Sequence, residues 1–312
     1  MGVGRFSTND WKAYSTTNMY DSKTTAQIFT NTTGTVKEFD PGDISMRESR
    51  DSTINPNSTA IILGVDVTGS MGMLADVLVR KGVPSLLEGI YTRKPVSDPH
   101  VLCMAIGDIE CDTSPLQVTQ FEADLKIITQ LEKIYLEGGG GGNEYESYAL
   151  AWMFAALKTN IDCFNKRNKK GYLFTIGDEC PTLALNKNDK LMKFFGEQLP
   201  LGNSFSSEDI LTLVSRQWEV FHLMVEEGSY YKRCGAKVSS EWTRLLGQRA
   251  IPLSDHTKLS EVILSTIQVN EGMSADDVAK SWDGATSAVV KRAVGGMKKH
   301  SIDTNDFGIV NI

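Results

Sequence analysis

Asp66-Val67-Thr68-Gly69-Ser70 places one carboxylate and two hydroxyls on alternate residues just after an apolar run, residues 60–65. As the chain leaves such a strand, alternate residues point the same way, so the three oxygen groups can face one ion. Gly69 and Gly72 permit the tight turn that gathers them. Two more apolar runs, 101–106 and 171–176, end at Asp108 and Asp178. A glycine run over 138–142 leads into Asn143, Glu144 and Glu146. Carboxylates, hydroxyls and waters suit a hard divalent cation, and Mg²⁺, which keeps several waters, needs few protein ligands; Mn²⁺ and Ca²⁺ suit the same donors. The candidate metal-ligating set is therefore Asp66, Thr68, Ser70, Asp178, Asp108, Asn143, Glu144 and Glu146.

Gly64-Val-Asp66-Val-Thr68-Gly-Ser70-Met-Gly72 resembles the first motif, Asp-x-Ser/Thr-x-Ser, of the metal-ion-dependent adhesion site of the von Willebrand factor A family. The likeness spans roughly residues 58 to 270. It implies that Thr68 and Ser70 are hydroxyl ligands and that Asp66 binds directly or through water. Asp178, in Phe174-Thr-Ile-Gly-Asp178-Glu179, matches the third motif. The second motif departs from the adhesive pattern: Gly141-Gly142-Asn143-Glu144-Tyr145-Glu146 stands where many members carry a threonine. It is similar to an intracellular subgroup with Gly-Gly-Asp-x-Pro-Glu there, a subgroup that also carries an aspartate at the place of Asp108. As a whole the chain resembles the stand-alone A-domain proteins of bacteria and their phages. The resemblance implies a metal-dependent protein-binding module whose ion accepts a carboxylate from a partner. Intracellular relatives suggest a partner among AAA-type ATPases, in the assembly or remodelling of a complex.

The elements that must position these residues alternate. Strands are expected at 60–65, 101–106, 134–136, 171–176 and 218–225. Helices are expected at 72–91 (interrupted near Gly82 and Pro84), 120–133, 144–158, 188–199, 207–216, 240–247 and 258–271, with 251–253 as a separator. A tail helix should run from the Ser274 cap to about 294. Strands alternating with helices imply βαβ crossovers, hence an α/β, doubly wound, mostly parallel sheet flanked by helices. Ligands of such sheets collect beyond the carboxyl ends of the strands, where the acidic residues fall. Residues 1–56, rich in Ser, Thr, Asn and Asp, read as a polar arm or strap anchored by Trp11, Tyr14, Tyr20, Ile28 and Phe29. Residues 57–272 form the α/β domain and 273–312 a helical tail.

Composition narrows the function. With 312 residues, 41% hydrophobic and 23% charged, the chain is an ordinary globular one, and its net charge of −7 argues against nucleic acid as a partner. No run approaches the length of a membrane span, and no secretory signal is visible at the start. The five cysteines show neither zinc nor thioredoxin spacing and read as free thiols, so a cytoplasmic location is expected. No P-loop ending follows the glycine run. The competing reading of the same carboxylates is a Mg²⁺-dependent phosphoester hydrolase using Asp66, Asp108 and Asp178, against which stands the lack of a nearby base or Lys/Arg set. A third reading makes the metal site purely structural or vacant.

Overall fold

The structure is a computed structural model that describes residues 4–137 and 145–298; the Ser70 side chain also falls outside it. Strands are β1 (Arg47–Ser49), β2 (Thr59–Asp66), β3 (Pro99–Ile106), β4 (Leu116–Val118), β5 (Thr159–Ile161), β6 (Gly171–Gly177), β7 (Ala184–Asn186), β8 (Ser204–Ser206), β9 (Trp218–Val225) and β10 (Ala250–Leu253). The first helices are α1 (Thr8–Thr17), α2 (Thr25–Ile28), α3 (Gly72–Val77), α4 (Val83–Arg93), α5 (Lys126–Leu131), α6 (Tyr148–Leu157) and α7 (Asp162–Arg167). They are followed by α8 (Asp189–Phe195), α9 (Ser207–Val214), α10 (Ser229–Leu246), α11 (Leu259–Asn270), α12 (Ala275–Lys280) and α13 (Gly284–Val294).

Six strands pair in the order β10-β9-β6-β2-β3-β4, parallel except for β4, which runs against β3. Every residue of β2, β3 and β6 is buried, as a sheet covered on both faces requires. Alternation along β2 sends Ile61, Leu63 and Val65 into one core and Ala60 and Ile62 into the other. The first core takes its helical residues from α2, α3, α4, α5, α11, α12 and α13, the second from α6, α7, α8, α9 and α10. Thus α4, which follows β2, covers one face, whereas α9, which follows β6, covers the other. Because β2 and β6 are neighbours, their outgoing chains part at the ends carrying Asp66 and Asp178, the place where ligands of such sheets bind.

Several expected elements are redrawn. The 120–133 pattern is helical only over α5; residues 119–122 stay extended, and Val101 bridges to Glu122. Phe121 belongs to one core and Leu131 to the other, so their helical spacing reflects a chain rounding the sheet edge rather than one helix face. Residues 134–136 are loop. Residues 251–253 belong to the edge strand β10, and α10 begins at Ser229, well before residue 240. The tail is two helices, α12 and α13. The interruption expected near Gly82 is a π-helical turn, Leu78–Gly82, between α3 and α4.

Residues 4–56 lie on the α/β body. Tyr20, Ile28, Phe29 and Phe39 enter the first core, and Trp11 and Tyr14 pack against it. The hydroxyls of Tyr14 and Tyr20 both donate to Glu132 Oε1. β1 runs parallel to β5, and beyond it Asp51 receives Arg167 (2.7 and 3.1 Å) and Ser58 (2.7 and 3.1 Å). At the other end of the chain, α12 and α13 contribute Val278, Val290 and Val294 to the first core. No helix among the described residues is long and apolar enough to cross a membrane.

Candidate metal centre

Asp66 is the last residue of β2 and is wholly buried. Its Oδ1 accepts the Thr68 N–H at 2.8 Å and the Thr68 hydroxyl at 2.7 Å, so the loop folds the hydroxyl back onto the carboxylate. Its Oδ2 faces the Tyr148 hydroxyl at 3.3 Å. Tyr148 opens α6, whose residues 148–155 are buried on every side, and its ring meets His222 and Trp242 edge-on at 4.9 and 5.5 Å. Its hydroxyl needs Gly177 beneath it: a Cβ there would lie 1.9 Å from the Tyr148 oxygen. Burial, and then the charge of Asp178, lift the Asp66 carboxyl to about 7.

Asp178 follows β6 and sits at the N-terminus of the 18-residue α10, where its Oδ2 accepts the Tyr230 N–H at 2.8 Å. The helix dipole favours an anion there. Gly228 makes the fit possible, since a Cβ on it would lie 2.2 Å from the Asp178 carboxylate. Burial raises the Asp178 carboxyl, while the N–H groups of Tyr230 and Tyr231 and the charge of Arg233 oppose the rise.

Glu146 lies just before α6 and is 2% exposed. Its Oε2 has no hydrogen-bond partner among the described residues. Burial, followed by the charges of Asp66, Glu179, Asp112 and Asp108, pushes its carboxyl to about 10. Glu179 behaves alike: its Oε2 is buried without a partner among the described residues, and burial with Asp66 and Asp178 lifts it to about 8. Asp108, which follows β3, is also buried. Its Oδ1 accepts the Glu110 N–H (3.0 Å) and the Ser147 hydroxyl (3.4 Å), and its own N–H donates to Asp112 at 2.7 Å.

Of the residues expected at the site, Asp66, Thr68, Asp178 and Glu146 share one buried neighbourhood, with Asp108 joined to it through Ser147. Asn143 and Glu144 lie outside the described residues, as does the Ser70 side chain. Sequence reasoning passed over Glu179, Tyr148 and Asp112. The first directly follows a flagged aspartate; the second reads only as an apolar helix residue.

The donors fit a hard cation in kind. Oxygen groups predominate, the carboxyls raise one another, and two of their oxygens are orphaned, so the cluster requires protons or a positive ion at neutral pH. They are not drawn tightly around one point: among the described residues, the three carboxylate or imidazole groups whose ligand atoms lie within 4.8 Å of one another are Glu227, Asp255 and His256. That trio, which sequence spacing did not flag, is already engaged. Asp255 caps the turn at Thr257 (2.9 and 2.6 Å), and Glu227 Oε2 accepts the His256 N–H at 2.7 Å and faces its Nδ1 at 2.5 Å. The two buried histidines each turn Nδ1 to a hydroxyl, His100 to Ser49 at 3.0 Å and His222 to Thr175 at 2.9 Å. All five cysteines are free.

No protein-family model matches the chain, and no curated protein matches it. Among solved structures it is similar to the pilus adhesin SpaC from Lactobacillus rhamnosus GG in its open conformation, with 11% identity and a TM-score of 0.44 over 75% of this chain and 31% of the adhesin chain. A second structure of that adhesin gives 11% and 0.41 over 72% and 32%. The chain thus spans about a third of the adhesin's length, and at these values the likeness carries no argument about function.

Proposed function

We propose that the chain is a divalent-cation-dependent protein-binding module of the von Willebrand factor A kind, with no reaction of its own. The observation that carries the reading is the strand-end cluster: Asp66 with the Thr68 hydroxyl folded onto it, in charge contact with Asp178, Glu146 and Glu179, where Oε2 of both glutamates lacks a partner among the described residues. Asp66, Thr68 and Ser70 would hold Mg²⁺, or Mn²⁺ or Ca²⁺ in its place, with Asp178 as a further anion. Asp108, Asn143 and Glu144 complete the proposed set. The cation would supply electrophilic charge for a carboxylate to answer.

Two carboxylates compete for that role. One comes from a partner protein, for which an AAA-type ATPase in a complex being assembled or remodelled is the class that the family resemblance suggests. The other is the chain's own Glu146, whose burial beside Asp66 favours a site closed from within.

Calorimetry with Mg²⁺, Mn²⁺ and Ca²⁺ on the native chain and on Asp66→Asn tests the cation. A pull-down with and without chelator tests the partner. The reading fails if no cation binds, or if a captured partner stays bound after chelation. One observation favours the hydrolase alternative: burial and the neighbouring carboxylates push the Glu146 and Glu179 carboxyls upward, the direction a general acid needs. Mg²⁺-dependent turnover of a phosphoester, abolished in Asp66→Asn, would establish it instead.

A further inference from the structure

A polar cavity of about 520 Å³ lies where the N-terminal strap passes α5, and it shares no residue with the strand-end cluster. That volume falls within the range of roughly 300–1,000 Å³ typical of sites for small organic ligands. Four of its lining residues are cationic, Lys37, Arg47, Lys126 and Lys133, against two acids, Glu38 and Asp43. This local excess of positive charge belongs to a chain whose net charge is −7.

The charges are unequally satisfied. Lys133 pairs with Glu38 at 2.9 Å, and Lys126 faces Asp124 at 3.8 Å. Lys37 has no ion pair among the described residues. Arg47 is 5% exposed, and its Nη2 donates to the backbone carbonyls of Glu38 and Val118; among the described residues no carboxylate lies within ion-pair distance of it, the Glu38 charge acting from farther off, and its Nε has no partner. A buried guanidinium ordinarily meets a carboxylate or phosphate, because main-chain dipoles alone do not repay the loss of its hydration. Burial lowers the Arg47 pKa to about 10 against the opposing charge of Glu38, and it stays charged at neutral pH. Ser45 and Gln120 add a hydroxyl and an amide to the walls.

We propose that this cavity is a binding site for a small oxyanionic solute, a phosphate monoester or a carboxylate, held by the charges of Lys37, Arg47 and Lys126. The ligand would neutralise Arg47 and bridge the strap to α5, so its binding would tighten the strap on the body of the protein.

The full chain is titrated at low ionic strength with inorganic phosphate, glycerol phosphate and citrate, by calorimetry and by thermal unfolding. Lys37→Glu with Lys126→Glu reverses the charge of two exposed walls of the cavity. Lys12→Glu with Lys280→Glu makes the same change in net charge at distant exposed positions. At least one probe is expected to bind the native chain and the distant control alike, and the cavity variant at least tenfold more weakly. Preference for glycerol phosphate or for citrate tells which oxyanion the site takes. If the reversed pair does not fold, Lys37→Gln with Lys126→Gln, which only removes charge, carries the test. The proposal is overturned if none of the three probes binds the native chain at millimolar concentrations, or if cavity and control variants bind equally.

Discussion

Asp66→Asn should make the cation-free protein more stable while abolishing its response to divalent cations. The asparagine keeps Oδ1 for the Thr68 N–H and hydroxyl, now at 2.8 and 2.7 Å, and offers an amide to the Tyr148 oxygen now at 3.3 Å. It removes a buried charge whose carboxyl is lifted from 3.8 to about 7. At ~1.4 kcal/mol per pH unit, holding that charge costs at most about 4 kcal/mol, and sharing the strain with Asp178 brings the expected gain to about 1–3 kcal/mol. The sign follows from the direction of the shift. A carboxyl raised on folding leaves stability intact below its unfolded value of 3.8 and removes it as pH rises through about 7. The variant's advantage should therefore be negligible at or below pH 3.8, grow up to about 7 and level off above. Cation at a hundred times its dissociation constant stabilises the native protein by ~2.7 kcal/mol, or roughly 5–10 °C in Tm, and leaves the variant unmoved. Urea unfolding across that pH range, with thermal scans with and without Mg²⁺, measures both quantities. A variant less stable than the native chain at pH 8 without cation, or one still stabilised by Mg²⁺, would refute the reasoning.

Other perturbations probe the neighbouring contacts. Glu146→Gln should lower cation affinity at least tenfold without loss of cation-free stability; unchanged affinity in calorimetry would remove Glu146 from the shell. Gly228→Ala forces a methyl to within 2.2 Å of the Asp178 carboxylate, so it should cost about 2–3 kcal/mol in urea unfolding and weaken cation binding with it. Asp51→Asn should cost about 2–3 kcal/mol at pH 7 by loosening the strap. Burial works against the ionisation of Asp51, but Arg167 and Ser58 overcome it and hold the carboxyl well below the usual range. That stability is present above 3.8 and is lost as pH falls, so the deficit of the variant should shrink in acid; a deficit independent of pH would rule out the ion pair as its source.

What could be read in the sequence follows how local each signal is. Asp66, Asp108 and Asp178 stand out because each ends a run of apolar residues, and a strand buried on both faces leaves few other readings. The helical spacing of Phe121, Leu125, Ile128 and Leu131 misleads because periodicity records separation along the chain, not which core a residue enters. Tyr148 gives no sign of its hydroxyl role: its position matches an apolar helix face, and only the approach of Gly177 reveals where the oxygen goes. The orphaned oxygens of Glu146 and Glu179 are likewise invisible in sequence, since they arise when loops from two different strands meet.

The strap also constrains the order of folding. Its partners come late in translation: Asp76 for Thr25, Glu132 for Tyr14 and Tyr20, β5 at Thr159–Ile161 for β1, and Arg167 for Asp51. A ribosome therefore releases the strap long before there is a surface to receive it, and it stays solvated while more than a hundred further residues are made. Its Ser-, Thr- and Asn-rich composition suits that wait, because a segment poor in apolar residues can remain extended without aggregating. Such long-range closures slow the final docking step, so the protein should acquire its sheet first and its N-terminal wrapping last.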